Sequence, residues 1–376
     1  MNEIRGNYAV AKVFTDEIEE YARAQIQLLC DNEAFEGCQI RIMPDVHPGK
    51  VGTIGFTSTV GDRVLPNVVG IDIGCGITTI LLKQKKIEFQ KLDKVIRENV
   101  PSGFAVRRKA HRYWEEVDDS RLYCRSHVNL EKASLSLGTL GGGNHFLEAD
   151  KDMEGNLYMT VHSGSRHLGK EVAEFYLKEG QKRLKDRGIE IPFEMTWLDG
   201  DLLEEYLHDI QVVQEFAALN REAILDEVVK GMKWKVLDKI QSVHNYIEIT
   251  DHGKILRKGA VSAKKGEMVL IPVNMRDGML LCKGKGNPDW NYSAPHGAGR
   301  IMKREDVKNS YTVAQFKQEM KGIYCTCIGK DTLDEAPFAY RGIAQIQDQL
   351  SDTVDIVERL LPIYNFKAGD GRKREK

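Results

Sequence analysis

Apolar residues recur along this chain with two different periods, and the two kinds of stretch are interleaved from end to end. Between 15 and 30, Ile18, Tyr21, Ala22, Ile26 and Leu29 keep a helical spacing behind Thr15, a residue suited to capping. A polar helix is predicted over 88–99, and longer ones over 170–187 and 201–230. In the last of these, Leu203, Leu207, Ile210, Val213, Ala217, Ile224 and Val228 share one face, and Gly231 follows as a stop. A final helix is predicted over about 339–361, ended by Pro362 and followed by a polar, basic tail over 365–376. Short apolar runs predict strands at 40–43, 53–60, 77–82, 157–161, 246–249 and 268–273. Turns are expected at 44–50 and 274–278. No repeat or low-complexity linker interrupts the pattern, so residues 1–376 are expected to form one interleaved domain.

Composition narrows the class. A hydrophobic share of 41% with 29% charged residues is ordinary for a globular chain. No apolar run reaches the ~18 residues of a membrane span, and no leader is evident, so the expectation is a cytoplasmic protein without a membrane partner. The net charge of −2 argues against a general coat for nucleic acid; a polyanion would need a local basic surface, such as 107–109, 182–187 or 254–265. Seven cysteines show neither a disulfide framework nor a repeated C-x-x-C, and reduced thiols are expected. Cys325-Thr326-Cys327 reads as strand, with both sulfurs on one core-facing side.

The chemistry concentrates in a few polar motifs. Asp72 and Cys75 lie three residues apart among Gly70, Gly74 and Gly76, a turn on which carboxylate and thiolate can face one ion. Taken alone, the pair reads first as a tight loop with a buried structural cysteine. His145, His162 and His244 are the residues that could join it. Their separations fit no local zinc motif, so only the fold could assemble them. A thiolate, a carboxylate and three imidazoles exceed one open tetrahedral site and suit two ions sharing the sulfur. Ligand softness points to zinc, cobalt or iron. Ser163-Gly164-Ser165-Arg166 forms a plausible anion nest, with a plain polar turn as the alternative. There is no P-loop signature, and Met275-Arg276-Asp277-Gly278 has methionine where common nucleotidyl-transferring ligases carry lysine.

Six motifs in one order, Asp72-Ile-Gly-Cys75-Gly, Gly143-Asn-His145-Phe-Leu-Glu148, His162-Ser-Gly-Ser-Arg166, His244-Asn245, His296-Gly-Ala-Gly-Arg300 and Asp334-Glu-Ala-Pro337, resemble the RtcB family of RNA ligases. The resemblance runs from Pro44-Asp45-Val46-His47 to Lys367. It implies an α+β fold of mixed sheets with flanking helices around a central metal and nucleotide cleft. The implied activity is GTP- and Mn²⁺-dependent joining of RNA 3′-phosphate or 2′,3′-cyclic phosphate ends to 5′-hydroxyl ends. By the same resemblance, Asp72, Cys75, His145, His162 and His244 bind two Mn²⁺ with Cys75 bridging, and Asp72 and His296 are catalytic. His296 is the nucleophile that takes GMP. The guanylate contacts implied are Asn144, His145, Phe146, Leu147, Glu148, His244, Asn245, Pro272, Val273, Asn274, Met275, Met279, His296, Gly297, Ala298, Gly299 and Lys367. Gly297 and Gly299 would leave room for a triphosphate. Manganese overrides the softness argument, because geometry and availability often decide which metal is bound.

The chain departs from the family at Pro272-Val273-Asn274-Met275-Arg276, where Pro-Gly-Ser-Met-Gly is usual. It departs again at Met279, which replaces a serine, and at His167, which replaces a glycine. These features mark a short, divergent bacterial branch, expected to act as a monomer in RNA repair. A metal-dependent cyclic phosphodiesterase and a catalytically silent RNA-binding protein are the alternatives.

Overall fold

The computed structural model describes residues 2–250 and 253–368. Two large sheets dominate it. One orders seven strands as Val236–Val243, Gly76–Leu82, Leu157–Ser163, Phe146–Lys151, Val354–Lys367, Gly278–Gly284 and Met268–Asn274, with every neighbouring pair antiparallel. The other orders Asn2–Arg5, Val10–Val13, Ile40–Pro48, Thr53–Thr59, Gly253–Lys258 and Asn245–Thr250. It is antiparallel except where Val10–Val13 meets Ile40–Pro48. Helices pack against these sheets, which makes the fold α+β. No helix among the described residues is long and apolar enough to cross a membrane.

Register decides where the chemistry falls. In the seven-stranded sheet Gly76 pairs with both Val243 and Ser163, while Phe146 pairs with His162 and Lys367. Segments far apart in sequence therefore end at one edge of the sheet, each delivering a polar residue there. A slip of one residue in any pairing would turn these side chains to the other face.

The helix Gly200–Met232 is the scaffold beneath that edge. Its apolar face matches the expected one: Leu203, Leu207, Ile210, Val213, Ala217, Ile224 and Val228 are all buried. The helix passes Gly231 and closes at Lys233, whose φ is 57°. Asp209, Asn220 and Arg221 are polar residues buried on the same helix, and the last two reach the loops of that edge. Asn220 accepts from the Gly138 and Thr139 amides and donates to the Thr139 and Gly164 carbonyls. Arg221, with no exposed surface, donates to the Gly74 and Ser163 carbonyls and to Thr78 Oγ1. Gly74 has φ 73°, and a Cβ there would sit 2.8 Å from Ala217 Cβ, so only glycine lets the 72–75 loop lie on the helix.

Several predicted boundaries move. The first helix begins at Glu20, capped by no side chain, and Thr15 lies outside it. The strand at 40–43 continues to Pro48 through a register shift, so the expected turn at 44–50 is largely strand. The last predicted helix is the largest error. A helix covers only Ile343–Leu350, and Val354–Lys367 is a strand placed between two others. Helical spacing in 354–361 was overridden by pairing on both sides, and Pro362 is tolerated at a register shift, where a missing N–H costs least. Asn365–Lys367 thus ends a strand rather than opening a tail, and 369–376 lie outside the described residues. Cys325 and Cys327 sit in irregular chain, not on a strand.

Arg221→Leu leaves buried carbonyls at Gly74 and Ser163 without a donor. It is expected to cost about 3–5 kcal/mol in urea denaturation, well beyond an ordinary core change. A loss below about 1 kcal/mol would show that water replaces the guanidinium.

Candidate metal centre and adjoining cavity

The glycine-framed loop before Gly76–Leu82 presents Asp72 and Cys75. His145 precedes Phe146–Lys151, and His162 lies within Leu157–Ser163. His244 stands where the chain leaves the seven-stranded sheet for the six-stranded one. The structure brings all five together. Cys75 Sγ is 3.4 Å from His145 Nε2 and 3.3 Å from His162 Nε2. His145 Nε2 is 3.0 Å from Asp72 Oδ2, and His162 Nε2 is 3.2 Å from His244 Nε2. They form two groups able to hold an ion, Asp72–Cys75–His145 and Cys75–His162–His244, sharing the sulfur.

The donor set fits cations. His145 Nδ1–H donates to the Leu140 carbonyl (2.9 Å) and His162 Nδ1–H to the Asn144 carbonyl (3.1 Å), which leaves both Nε2 lone pairs aimed inward. Burial holds His162 and His244 well below the usual imidazole range, so they are neutral and able to ligate. Burial, with Asp72 beside it, pushes the Cys75 thiol well up; a bound cation would have to displace its proton. Arg221 and Lys258 offset part of that.

A cavity of about 750 Å³ opens beside the cluster, within the range of small-molecule sites. His162 and His244 form part of its wall. Asn144, Phe146 and Glu148 line it from one side, and Pro272, Val273, Asn274 and Met275 from another. His296, Gly297, Ala298, Gly299 and Lys367 also face it. Four expected contacts do not line it, and one of them, His145, belongs to the Asp72–Cys75–His145 group instead. Leu147 alternates to the opposite face of its strand and is core. Asn245 accepts from the Gly259 amide. Met279 is fully buried, its sulfur facing the Thr79 and Thr160 hydroxyls, because the register of Gly278–Gly284 turns it away. Asn274 reaches the cavity but spends its side chain on the Asp277 turn. Nor does Gly299 leave ligand room: a Cβ there would meet the Asp45 carbonyl at 2.8 Å, so it serves the packing of the His296 loop on strand Ile40–Pro48.

That packing introduces a residue the sequence reading passed over. Asp45 Oδ2 accepts from His296 Nδ1–H at 2.8 Å and from the His296 backbone amide at 3.2 Å. The only signal was its place in the Pro44-Asp45-Val46-His47 match. With Nδ1 held, His296 Nε2 carries the free lone pair, and the ring lies 5.1 Å from that of His244. Neighbouring His47 donates to the Asp45 carbonyl, and burial pushes it down to about 4, so it is neutral at pH 7.

Charge at the other end is arranged around Glu335. Lys367 Nζ donates to it at 2.7 Å, as does Tyr340 Oη, while Arg300 and Arg304 pair with it. Burial alone would raise its pKa, but these cations hold it well below the usual carboxylate range. Glu148 differs. It accepts from Asn365 Nδ2 and lies beside fully buried Asp150; burial pushes Glu148 up to about 7, and burial with Glu148 alongside pushes Asp150 well up.

Two ligand groups that share one thiolate and are each able to hold an ion, beside a cavity of small-molecule size in an α+β fold, fit a metal-dependent class of enzyme. The model of the family described as tRNA-splicing ligase RtcB matches residues 34–368, and the chain belongs to this family of RNA ligases. The RNA-splicing ligase RtcB of Escherichia coli is 28% identical, covering 96% of this chain and 97% of that protein. The tRNA-splicing ligases RtcB of Aeropyrum pernix and Thermococcus kodakarensis are 28% and 25% identical, each over 86% of both chains.

The Glu148–Asp150 pair sets a pH dependence. Both carboxyls have folded pKa values above their unfolded ones, so the stability they contribute is complete at low pH and lost as pH rises through about 7. Asp150→Asn keeps the shape without the charge. It is expected to raise the melting temperature at pH 8, by the equivalent of about 1–3 kcal/mol, and by clearly less at pH 5. A thermal scan across pH 5–8 checks this; an equal shift at both ends would show that charge is not the cause.

Proposed function

We propose that this chain is a GTP- and Mn²⁺-dependent RNA ligase, joining RNA 3′-phosphate or 2′,3′-cyclic phosphate ends to 5′-hydroxyl ends in RNA repair. In this reading it acts as a cytoplasmic monomer. The observation that carries it is the state of His296: Nδ1 held by a buried carboxylate, Nε2 free on the cavity wall, and the metal-type cluster one ring away. Neutral imidazole is a competent nucleophile near pH 7, its unperturbed pKa being ~6.5.

With GTP as substrate, His296 Nε2 attacks the α-phosphorus; the N–P bond forms as the bond to pyrophosphate breaks. Asp45 holds the ring orientation and stabilises the positive charge that builds on it. The RNA 3′-phosphate then takes GMP from His296, and the 5′-hydroxyl displaces GMP to close the phosphodiester. A cyclic end must first be opened to a 3′-phosphate. Asp72, Cys75, His145, His162 and His244 would hold two Mn²⁺, whose charge stabilises the phosphate oxygens as negative charge develops. Lys367, Arg300 and Arg304, gathered on Glu335, stand ready to exchange that carboxylate for phosphate or RNA.

Incubation with α-labelled GTP and Mn²⁺ is expected to yield an acid-labile, base-stable protein–GMP adduct. His296→Ala should abolish adduct and ligation with the melting temperature kept, and Asp45→Asn should slow adduct formation by roughly 10²-fold or more. An adduct on His296→Ala would place the nucleophile elsewhere, and GTP-independent opening of cyclic ends without joining would indicate a phosphodiesterase.

Cys75→Ser is expected to lose at least one of two ions by elemental analysis while losing little thermal stability, since a hydroxyl bridges poorly. Two ions per chain and normal guanylylation in that variant would make Cys75 merely structural.

A further inference from the structure

Cys325 and Cys327 lie away from the metal cluster, yet their sulfurs approach to 3.2 Å. Both are partly exposed, so a small reagent can reach them. Their segment is stitched to the end of strand Val354–Lys367. Tyr324 N–H donates to the Ile363 carbonyl and Asn365 N–H to the Tyr324 carbonyl, each at 3.0 Å. Lys367 N–H donates to Cys327 Sγ at 3.2 Å. The residues held in this way are the ones that matter at the cavity: Asn365 bonds Glu148, and Lys367 bonds Glu335.

We propose that Cys325 and Cys327 are a reversible dithiol–disulfide pair, oxidised by low-molecular-weight disulfides such as oxidised glutathione, and that oxidation loosens the strand end that holds Asn365 and Lys367 at the cavity. The effect on nucleotide binding rests on the guanylate reading above; the thiol chemistry does not.

The two thiols are unequal. The hydrogen bond from Cys325 and the Lys367 amide, with Lys367 and Arg97 nearby, hold Cys327 below the ordinary thiol range, whereas its partner pushes Cys325 well up. Cys327 is thus the attacking thiolate and Cys325 the resolving thiol. Cys327 attacks one sulfur of glutathione disulfide, forming a mixed disulfide and releasing one glutathione thiolate. Cys325 then loses its proton and attacks the Cys327 sulfur, forming the internal disulfide and releasing the second glutathione. Two electrons pass from the pair to the reagent, and the two thiol protons end on the two glutathiones. A ring joining residues two apart is small, and strained disulfides are the readily reduced, regulatory kind. Closing the sulfurs to a bond of about 2 Å removes the thiolate and draws Cys327 off the Lys367 amide.

The test uses the full-length protein with excess oxidised glutathione, followed by tryptic mapping and hydrogen exchange. The peptide spanning 322–330 should lose two hydrogens and regain them with dithiothreitol. The Lys367 amide should exchange about tenfold faster when oxidised, and GDP affinity by equilibrium dialysis should fall several-fold. Cys327→Ser, which removes the attacking thiol and leaves a hydroxyl to accept from the Lys367 amide, should bind GDP like the parent and ignore the oxidant. The proposal is overturned by a peptide that stays reduced, by a mixed disulfide that never resolves, or by a disulfide that leaves Lys367 exchange unchanged. It is equally overturned if Cys327→Ser loses GDP affinity on oxidation to the same extent, which would implicate another cysteine. Reduced protein that binds no GDP would count against the proposed function alone, because the mapping and exchange results judge the pair without any nucleotide.

Discussion

The site depends on a buried cation that touches no ligand. Arg221 reaches from the long helix to the carbonyls of Gly74 and Ser163, and Asn220 beside it spans the 138–139 and 164 backbone. Irregular chain around a metal-type cluster leaves many carbonyls pointing inward, and each needs a donor once water is excluded. Two adjacent residues on one rigid helix meet that need for three separate segments. The positions of Asp72, Cys75, His145 and His162 are consequences of that tether together with sheet register.

Around this anchor the polar groups are pre-oriented rather than merely near. Backbone carbonyls at Leu140 and Asn144 choose the tautomers of His145 and His162, and Asp45 chooses that of His296. A neutral imidazole needs only one such bond to have its lone pair directed, so little side-chain freedom remains to be lost when a ligand arrives. The cations near the cavity are likewise held in advance, on the buried carboxylate of Glu335. Electrostatic work is done during folding, where the whole core can support it.

The five donors implied by the six-motif match do come together in space. The match erred where a side chain's direction depends on pleat: Leu147 and Met279 sit on strands next to true cavity residues but face the other way. It also passed over Asp45, because an aspartate in a Pro-Asp-Val-His run looks like any turn residue until a distant histidine is brought beside it. The final strand shows the same limit in backbone form. Residues 354–361 have helical spacing in isolation, and only two flanking strands make them extended.

What the sequence determined by itself was therefore local and chemical: the amphipathic face of the long helix, most strand cores, the ligand types, and the family. What the tertiary structure alone decided was direction and proximity. Which face of a strand a residue takes, which tautomer a histidine keeps, and whether two cysteines meet beside a lysine all depend on partners tens to hundreds of positions away. Those pairings are non-local, and no short window of sequence contains the groups that fix them.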